Sequence, residues 1–204
     1  MERLIAHRGL KEHAKENTLE AFTLALSNEH YAGFECDIRT TKDGVFVVCH
    51  NPMIGLDIIS NTSYKELKRK YHLPTLEQVL KLDSNKIFLL EIKEANIDQK
   101  KFQTMIQKYS SKNIYVMSFF NKVIQELSRT KKREKYGVLN YVFNSEESYQ
   151  EYDFICLLEN IISKKMELFF VEKHIETFIY GIHHLQKTRK EYPNSYFITD
   201  EIVQ

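Results

Sequence analysis

Short runs rich in β-branched and aromatic residues recur along the whole chain, separated by stretches of helical period, and no other feature limits the possible folds so strongly. Nine runs read as strands: Leu4–His7, Gly33–Arg39, Val45–His50, Ile87–Lys93, Ile114–Phe119, Gly137–Tyr141, Phe154–Leu157, Leu168–Glu172 and Tyr196–Thr199. Lys42-Asp43-Gly44 reads as a tight turn, which makes Val45–His50 a hairpin return and leaves eight principal strands. Strands that alternate with helices favour a parallel α/β sheet. Eight of them in 204 residues suggest a compact (β/α)8 TIM barrel, near the ~200-residue lower limit of that fold. The pattern alone also admits an open doubly wound sheet, because periodicity does not encode strand order.

The helices announce themselves by caps and faces. Asn17-x-x-Glu20 and Thr75-x-x-Gln78 resemble capping boxes, Asn96 and Asn121 are further candidate caps, and Val123, Ile124 and Leu127 share one face. Ile175, Phe178, Ile179, Ile182 and Leu185 predict a last helix. Between Tyr141 and Leu168 the helical signal is thin, so that part of the barrel is expected to be abbreviated.

Only 6 Gly and 3 Pro, with no linker or repeat, predict one domain over residues 1–204. No run approaches the ~18 apolar residues of a membrane span, and the N-terminus turns polar too early for a signal peptide. Lys and Arg total 29 against 28 Asp and Glu, which gives no electrostatic reason to expect nucleic acid or an anionic bilayer as partner. Three cysteines without zinc-like spacing predict reduced thiols in a cytoplasmic protein.

Chemistry enters where polar residues interrupt strands. Glu35 and Asp37, at i and i+2, share one face of an otherwise apolar strand, and Cys36 points the other way. Two neighbouring carboxylates repel unless a cation neutralises them; an edge strand wetted on one face is the plain alternative. Ile87-Phe88-Leu89-Leu90 then runs into Glu91, with Lys93 on the same face, at the strand end where a barrel carries its active site. Three carboxylates at strand ends form a hard oxygen set suited to one divalent cation, Mg2+ or Ca2+. His7 and His50 end strands in the same manner and resemble an acid/base pair, and Arg8 and Lys93 supply positive charge for a phosphate.

His7-Arg8-Gly9, Glu16-Asn17-Thr18 with Ala21-Phe22, Glu35-Cys36-Asp37-Ile38, Thr41-Lys42-Asp43-Gly44 and His50 together resemble the glycerophosphodiester phosphodiesterase family. Pro74-Thr75-Leu76, Leu90-Glu91-Ile92-Lys93, Ser118-Phe119 and Ile198-Thr199-Asp200 continue the resemblance in order, over essentially the whole chain. The resemblance implies a TIM barrel with one divalent ion on Glu35, Asp37 and Glu91. It implies His7 and His50 as general acid and base, Arg8 and Lys93 near the phosphate, and a small glycerophosphodiester as substrate. The implied reaction yields glycerol 3-phosphate and an alcohol. A lysophospholipase D-like enzyme and a non-catalytic phosphate-binding barrel are the rival readings.

The chain departs from the family at His50-Asn51, usually His-Asp, and at Lys15-Glu16-Asn17-Thr18, usually Pro-Glu-Asn-Thr. The seventh strand, usually Trp-Thr-Val-Asn, is read at Phe170-Val171-Glu172-Lys173, where Glu172 at the mouth would favour a cationic alcohol. His183-His184 is read as a surface helix pair without a metal, Lys131-Lys132-Arg133-Glu134-Lys135 as a solvated cluster, and His13, His30 and His72 as surface residues.

Overall fold

In the computed structural model, which describes residues 3–12, 14–143 and 145–201, the apolar runs pair edge to edge. The first half runs through β1 (Leu4–Ala6), α1 (Leu19–Ser27), β2 (Tyr31–Thr40), β3 (Phe46–Val48), β4 (Met53–Ile54), β5 (Asp57–Ile58), α2 (Tyr64–Lys70), α3 (Leu76–Leu80) and β6 (Ile87–Ile92). Then come α4 (Gln99–Gln107), β7 (Asn113–Ser118), α5 (Asn121–Ser128), β8 (Lys135–Asn140), a 3-10 turn, β9 (Phe154–Leu158), α6 (Lys164–Glu172), β10 (Glu176–Tyr180), α7 (Leu185–Glu191) and β11 (Tyr196–Thr199).

Eight parallel strands follow one another in the order β1-β2-β6-β7-β8-β9-β10-β11, and β11 pairs back with β1. The sheet is therefore a closed (β/α)8 barrel, and the open alternative falls. β3 returns antiparallel on β2, with Ile38 opposite Val48 and Thr40 opposite Phe46, as the turn chemistry predicts. The small β4–β5 hairpin lies outside the barrel sheet.

Alternation of side chains sorts the strand residues into two cores. Leu4, Phe34, Cys36, Phe88, Leu90 and Val116 face outward and pack against the helices. Ile5, Leu89, Met117, Leu139, Phe178 and Ile198 fill the barrel. Gly137 keeps this filling possible, because a Cβ there would lie 2.5 Å from the Phe154 ring. The next inward position beyond the plug is residue 7, 91, 119, 141, 180 or 200 on its strand, and the β2 series of Gly33 and Glu35 ends at Asp37. Strand period thus decides which side chains reach the mouth.

One expectation is overturned. Leu168–Glu172 is the second half of α6, not a strand, and the seventh barrel strand is β10, whose Phe178 and Ile179 were expected in a helix. A strand of a parallel barrel is buried on both faces, so β10 and the turn after it mimic helical spacing. α6 starts at Ser163, whose hydroxyl accepts from the Met166 N–H, and it buries Met166 and Phe170 one turn apart. His183 and His184 consequently sit in the exposed loop before α7. Three caps also move: Thr18, not Asn17, caps α1, Asp98, not Asn96, caps α4, and Asn121 is the first residue of α5, after Phe120, which makes no side-chain cap bond. Thr75 and Gln78 do form their capping box. Among the described residues, the connection from β8 to β9 carries a 3-10 turn and no α-helix, as the thin signal suggests.

Candidate active site

The chain turns sharply where β1 ends. Arg8 has φ of 58° and Gly9 of 85°, and the Gly9 N–H donates to the Ala6 carbonyl at 3.1 Å. Any Cβ on Gly9 would come within 2.7 Å of the Ala21 Cβ, so only glycine lets α1 pack this closely. The turn points His7 into the mouth and aims the Arg8 backbone N–H at Glu35 Oε2, 3.0 Å away. Asn17 is held at φ 56°, a conformation asparagine tolerates, by its N–H donating to the Arg8 carbonyl. Its side-chain amide donates to Asp37 Oδ2 at 2.8 Å, and its oxygen accepts the Asp37 N–H at 3.3 Å.

Glu35, Asp37 and Glu91 are 1%, 1% and 6% exposed, and one oxygen from each lies within 4.8 Å of the others. Lys93 Nζ donates to Glu91 Oε1 at 2.6 Å and lies 3.0 Å from Asp37 Oδ1. The Arg8 guanidinium pairs with Glu16 at 3.2 Å and places Nε 3.4 Å from Asp37 Oδ2. Asp37 is therefore well compensated. Glu35 is less so: among the described residues it has the Arg8 N–H, His7 Nε2 at 4.0 Å and the more distant charge of Lys93, and its Oε1 is buried with no hydrogen-bond partner.

The titration behaviour follows. Burial first, then Asp37 and Glu91, push the Glu35 carboxyl well above the usual carboxylate range. Burial also raises Glu91, while Lys93 pulls it back down. Lys93 is held above its ordinary value, against burial, by Glu91 and Asp37. Three converging hard oxygens with unbalanced charge can hold one divalent cation. Cys36, between two of them, faces the outer core.

His7 Nδ1 lies 2.8 Å from Asp200 Oδ1 beyond β11, so its Nε2 is the nitrogen directed at the carboxylates. Burial works to raise the Asp200 carboxyl, but hydrogen bonds from His7 and Lys11 hold it well below the usual range. His50 follows β3. Arg39 donates twice to its carbonyl, at 2.9 and 2.7 Å, and its Nδ1 lies 3.0 Å from Asn51 Oδ1. Burial lowers its pKa, which leaves it neutral at pH 7. His7, Arg8, Glu35, His50, Glu91 and Lys93 all line one cavity of about 210 Å³, and Asp37 lies against it through Lys93.

The sequence pattern thus brings its seven candidates together. It leaves out Glu16, Asn17 and Asp200, read only as motif members; for Asp200 the signal was its place at the end of the last strand. It also leaves out Phe119, Tyr141 and Tyr180, which line the far side of the cavity. Phe170-Val171-Glu172-Lys173 is not at the mouth: Phe170 is buried under α6, and Glu172 is a solvent-exposed residue beside Lys173. Lys131 and Lys135 pair with Asp153 and Glu176. Among the described residues, His30 and His72 lie outside this cavity, and His13 lies outside the described residues.

Residues 7–164 match the glycerophosphoryl diester phosphodiesterase family, more than half of the chain. The chain belongs to that family. A glycerophosphodiester phosphodiesterase of Caldanaerobacter subterraneus subsp. tengcongensis is 27% identical over 160 residues, covering 67% of this chain but 65% of that protein, less than two thirds of its length. The crystal structure of a glycerophosphodiester phosphodiesterase from Thermotoga maritima superposes with a TM-score of 0.80 at 26% identity, covering 98% of this chain and 95% of the other. One from Parabacteroides distasonis gives a TM-score of 0.81 at 20% identity over 97% and 92% of the two chains, a likeness of fold. The matched family segment begins at His7 and includes every carboxylate, histidine and cation of the cluster except Asp200.

Proposed function

We propose that this protein is a metal-dependent phosphodiesterase that hydrolyses glycerophosphodiesters to glycerol 3-phosphate and an alcohol. The unpartnered, buried Glu35 oxygen carries this reading. An isolated buried carboxylate is costly, and the two nearby cations are already spent on Asp37, Glu16 and Glu91. Glu35, Asp37 and Glu91 would hold one Mg2+ or Ca2+, and the absence of a thiol from the set fits a hard ion. When bound, such an ion draws charge from a phosphoryl oxygen and makes the attacking hydroxyl more acidic.

The chain's own groups account for the rest. One histidine takes the proton of the attacking hydroxyl, from water or from the substrate's glycerol, and the other protonates the leaving alcohol as its P–O bond breaks. His50, neutral at pH 7, suits the acceptor role. His7 works through Nε2, because Asp200 occupies Nδ1. Arg8 and Lys93 border the cavity and would steady the phosphoryl oxygens. Both histidines facing one cavity supports catalysis over a silent phosphate-binding barrel. A cavity of about 210 Å³, below the ~300 Å³ of most small-molecule sites, supports a compact headgroup over a lysophospholipid. Among the described residues no helix is long and apolar enough to cross a membrane.

The test is phosphodiester hydrolysis over a panel of glycerophosphodiesters, with and without chelator. Activity should vanish in excess EDTA and return with Mg2+ or Ca2+. Full turnover by metal-free protein overturns the metal, and no hydrolysis of any member with either ion overturns the reaction.

A further inference from the structure

The two histidines are held by different means. The His7 N–H donates to the Thr199 carbonyl of β11 at 3.0 Å, and Asp200, just beyond that strand, meets its ring. His50 lies past the regular ladder. β3 ends at Val48, and beyond it the Cys49 N–H still donates to the Asp37 carbonyl at 2.9 Å. The chain then leaves the sheet through Asn51, Pro52 and Met53, all exposed, into the β4–β5 hairpin outside the barrel. Asn51 Oδ1 meets the His50 ring, but Asn51 is the next residue of the same loop and moves with it. That contact turns the ring within the loop and does not fix the loop to the barrel.

Arg39 makes that attachment. It stands two residues beyond Asp37 on β2, and its Nε and Nη2 both donate to the His50 carbonyl, at 2.9 and 2.7 Å. On its other side, Nη1 lies 3.8 Å from Glu94 Oε1, and Glu94 Oε2 accepts the Thr40 N–H at 3.1 Å. Glu94 follows Lys93, just past the end of β6. One ion pair thus ties together the ends of the three strands that present Asp37, His50 and Glu91.

The pair is built to hold. Its side chains are 13% and 22% exposed, so salt and water screen it less than a surface pair. Hydrogen bonds from a charged guanidinium are about twice as strong as neutral ones. The rigid fork closes two of them on one oxygen, which an ammonium on a flexible stem does not do. Among the described residues, His50 lines the cavity and neither Arg39 nor Glu94 does.

We propose that Arg39, backed by Glu94, is the positioning residue of His50: it sets where that imidazole stands in the mouth without touching the substrate. This rests on the phosphodiesterase reading, in which His50 must reach a proton on one oxygen. Proton transfer needs heavy atoms within ~2.6–3.2 Å of each other. A loop shift of about 1 Å breaks that contact, and a misplacement of this size can lower a rate about 10²-fold.

The test is a cycle of variants in the full chain with Mg2+, on the most active member of the glycerophosphodiester panel. Arg39→Gln should lower kcat roughly 10- to 100-fold and change KM less than about threefold. Arg39→Lys, which keeps the charge and one bond, should recover part of the loss. In the His50→Ala background, Arg39→Gln should change kcat less than about threefold, because the group it positions is gone. The rise in Tm on adding the cation should survive Arg39→Gln, which separates the effect from damage to the carboxylates. A further readout needs no turnover. In 1H–13C spectra the His50 ring signal, assigned by its loss in His50→Ala, should shift or broaden in Arg39→Gln while the His7 signal stays. Glu94→Gln keeps an acceptor for Thr40 but removes the charge behind Arg39. It should move kcat and the His50 signal less, and it carries the comparison if Arg39→Gln does not fold.

An equal kcat loss with and without His50, a lost cation response, or an unmoved His50 signal overturns the positioning. The spectra keep the two readings apart. No hydrolysis of any panel member beside a His50 signal that follows Arg39 sinks the reaction and spares the placement of His50. Turnover by the wild type beside an unmoved signal does the opposite.

Discussion

On β1, β2 and β6 the inward positions above the apolar plug carry His7, Asp37 and Glu91; on β7, β8 and β10 they carry Phe119, Tyr141 and Tyr180. One scaffold thus builds two different half-mouths. On the charged side every group depends on others: Asp37 alone touches Asn17, Arg8 and Lys93. A buried charge must be partnered, so these residues form one network whose members cannot be changed singly without cost. On the aromatic side Tyr141 is 60% exposed and, among the described residues, meets its neighbours through ring contacts. Such contacts are weak, about 0.5–1.5 kcal/mol a pair. The difference is one of coupling: a network of buried ionic partners on one side, and separate weak ring contacts on the other.

The largest effect expected tests that difference. His7→Ala and His50→Ala should each lower kcat by roughly 10²–10⁴-fold, and the double variant by far less than the product, because both serve one reaction. Tyr141→Ala should change kcat severalfold at most. Steady-state kinetics of the four proteins decides, and an equal loss from Tyr141→Ala would erase the difference between the halves.

Next is the response to a divalent cation. At 100 times its dissociation constant a ligand of the native state stabilises by about 2.7 kcal/mol, or roughly 5–10 °C in Tm for a chain of this size. Thermal melts should show that rise for the wild type and lose it in Asp37→Asn. The pH dependence sharpens the point. Glu35 titrates higher in the folded state than in the unfolded chain, so the folded protein binds the extra proton. Metal-free stability should therefore fall as pH rises above about 4.3, the unfolded Glu value, and the cation should flatten that slope. Asp200, shifted the other way, loses its contribution only as pH drops below about 4.

A smaller effect belongs to Asn17, whose amide bonds Asp37 at both ends. Asn17→Ala leaves those buried groups unpaired and should cost about 1–3 kcal/mol in urea unfolding. A change below about 0.5 kcal/mol would show that the network tolerates single changes after all.

The two halves were also unequally legible. Charges interrupting apolar strands stand out, because burial makes an ionic side chain costly without a purpose, and so Glu35, Asp37, Glu91, His7 and His50 could be named before any geometry. Phe119, Tyr141 and Tyr180 look like core residues at strand ends, and only closure of the barrel turns them toward a cavity. Asn17 was hidden differently: a local cap and a long-range amide bond to Asp37 have the same one-dimensional signature, and the tertiary contact won. Strand period placed β1, β2, β6, β7, β8, β9 and β11 well. It failed at β10 because burial on both faces removes alternation, and Leu168-Phe169-Phe170-Val171 has strand-like composition inside a helix.

The smallest effect expected follows from that failure. As a mouth residue on a seventh strand, Glu172 would attract cationic alcohols; as the last residue of α6 it is solvent-exposed, 3.1 Å from Lys173. A surface pair of this kind contributes on the order of 0–1 kcal/mol to stability and is screened by salt. Glu172 ends α6 just before β10 begins, at the end of the barrel opposite the mouth. Glu172→Gln should therefore leave the ratio of kcat/KM for glycerophosphocholine over glycerophosphoglycerol unchanged. A shift in that ratio from Glu172→Gln, lost at 0.5 M salt, would mean that its charge acts on the site at long range after all.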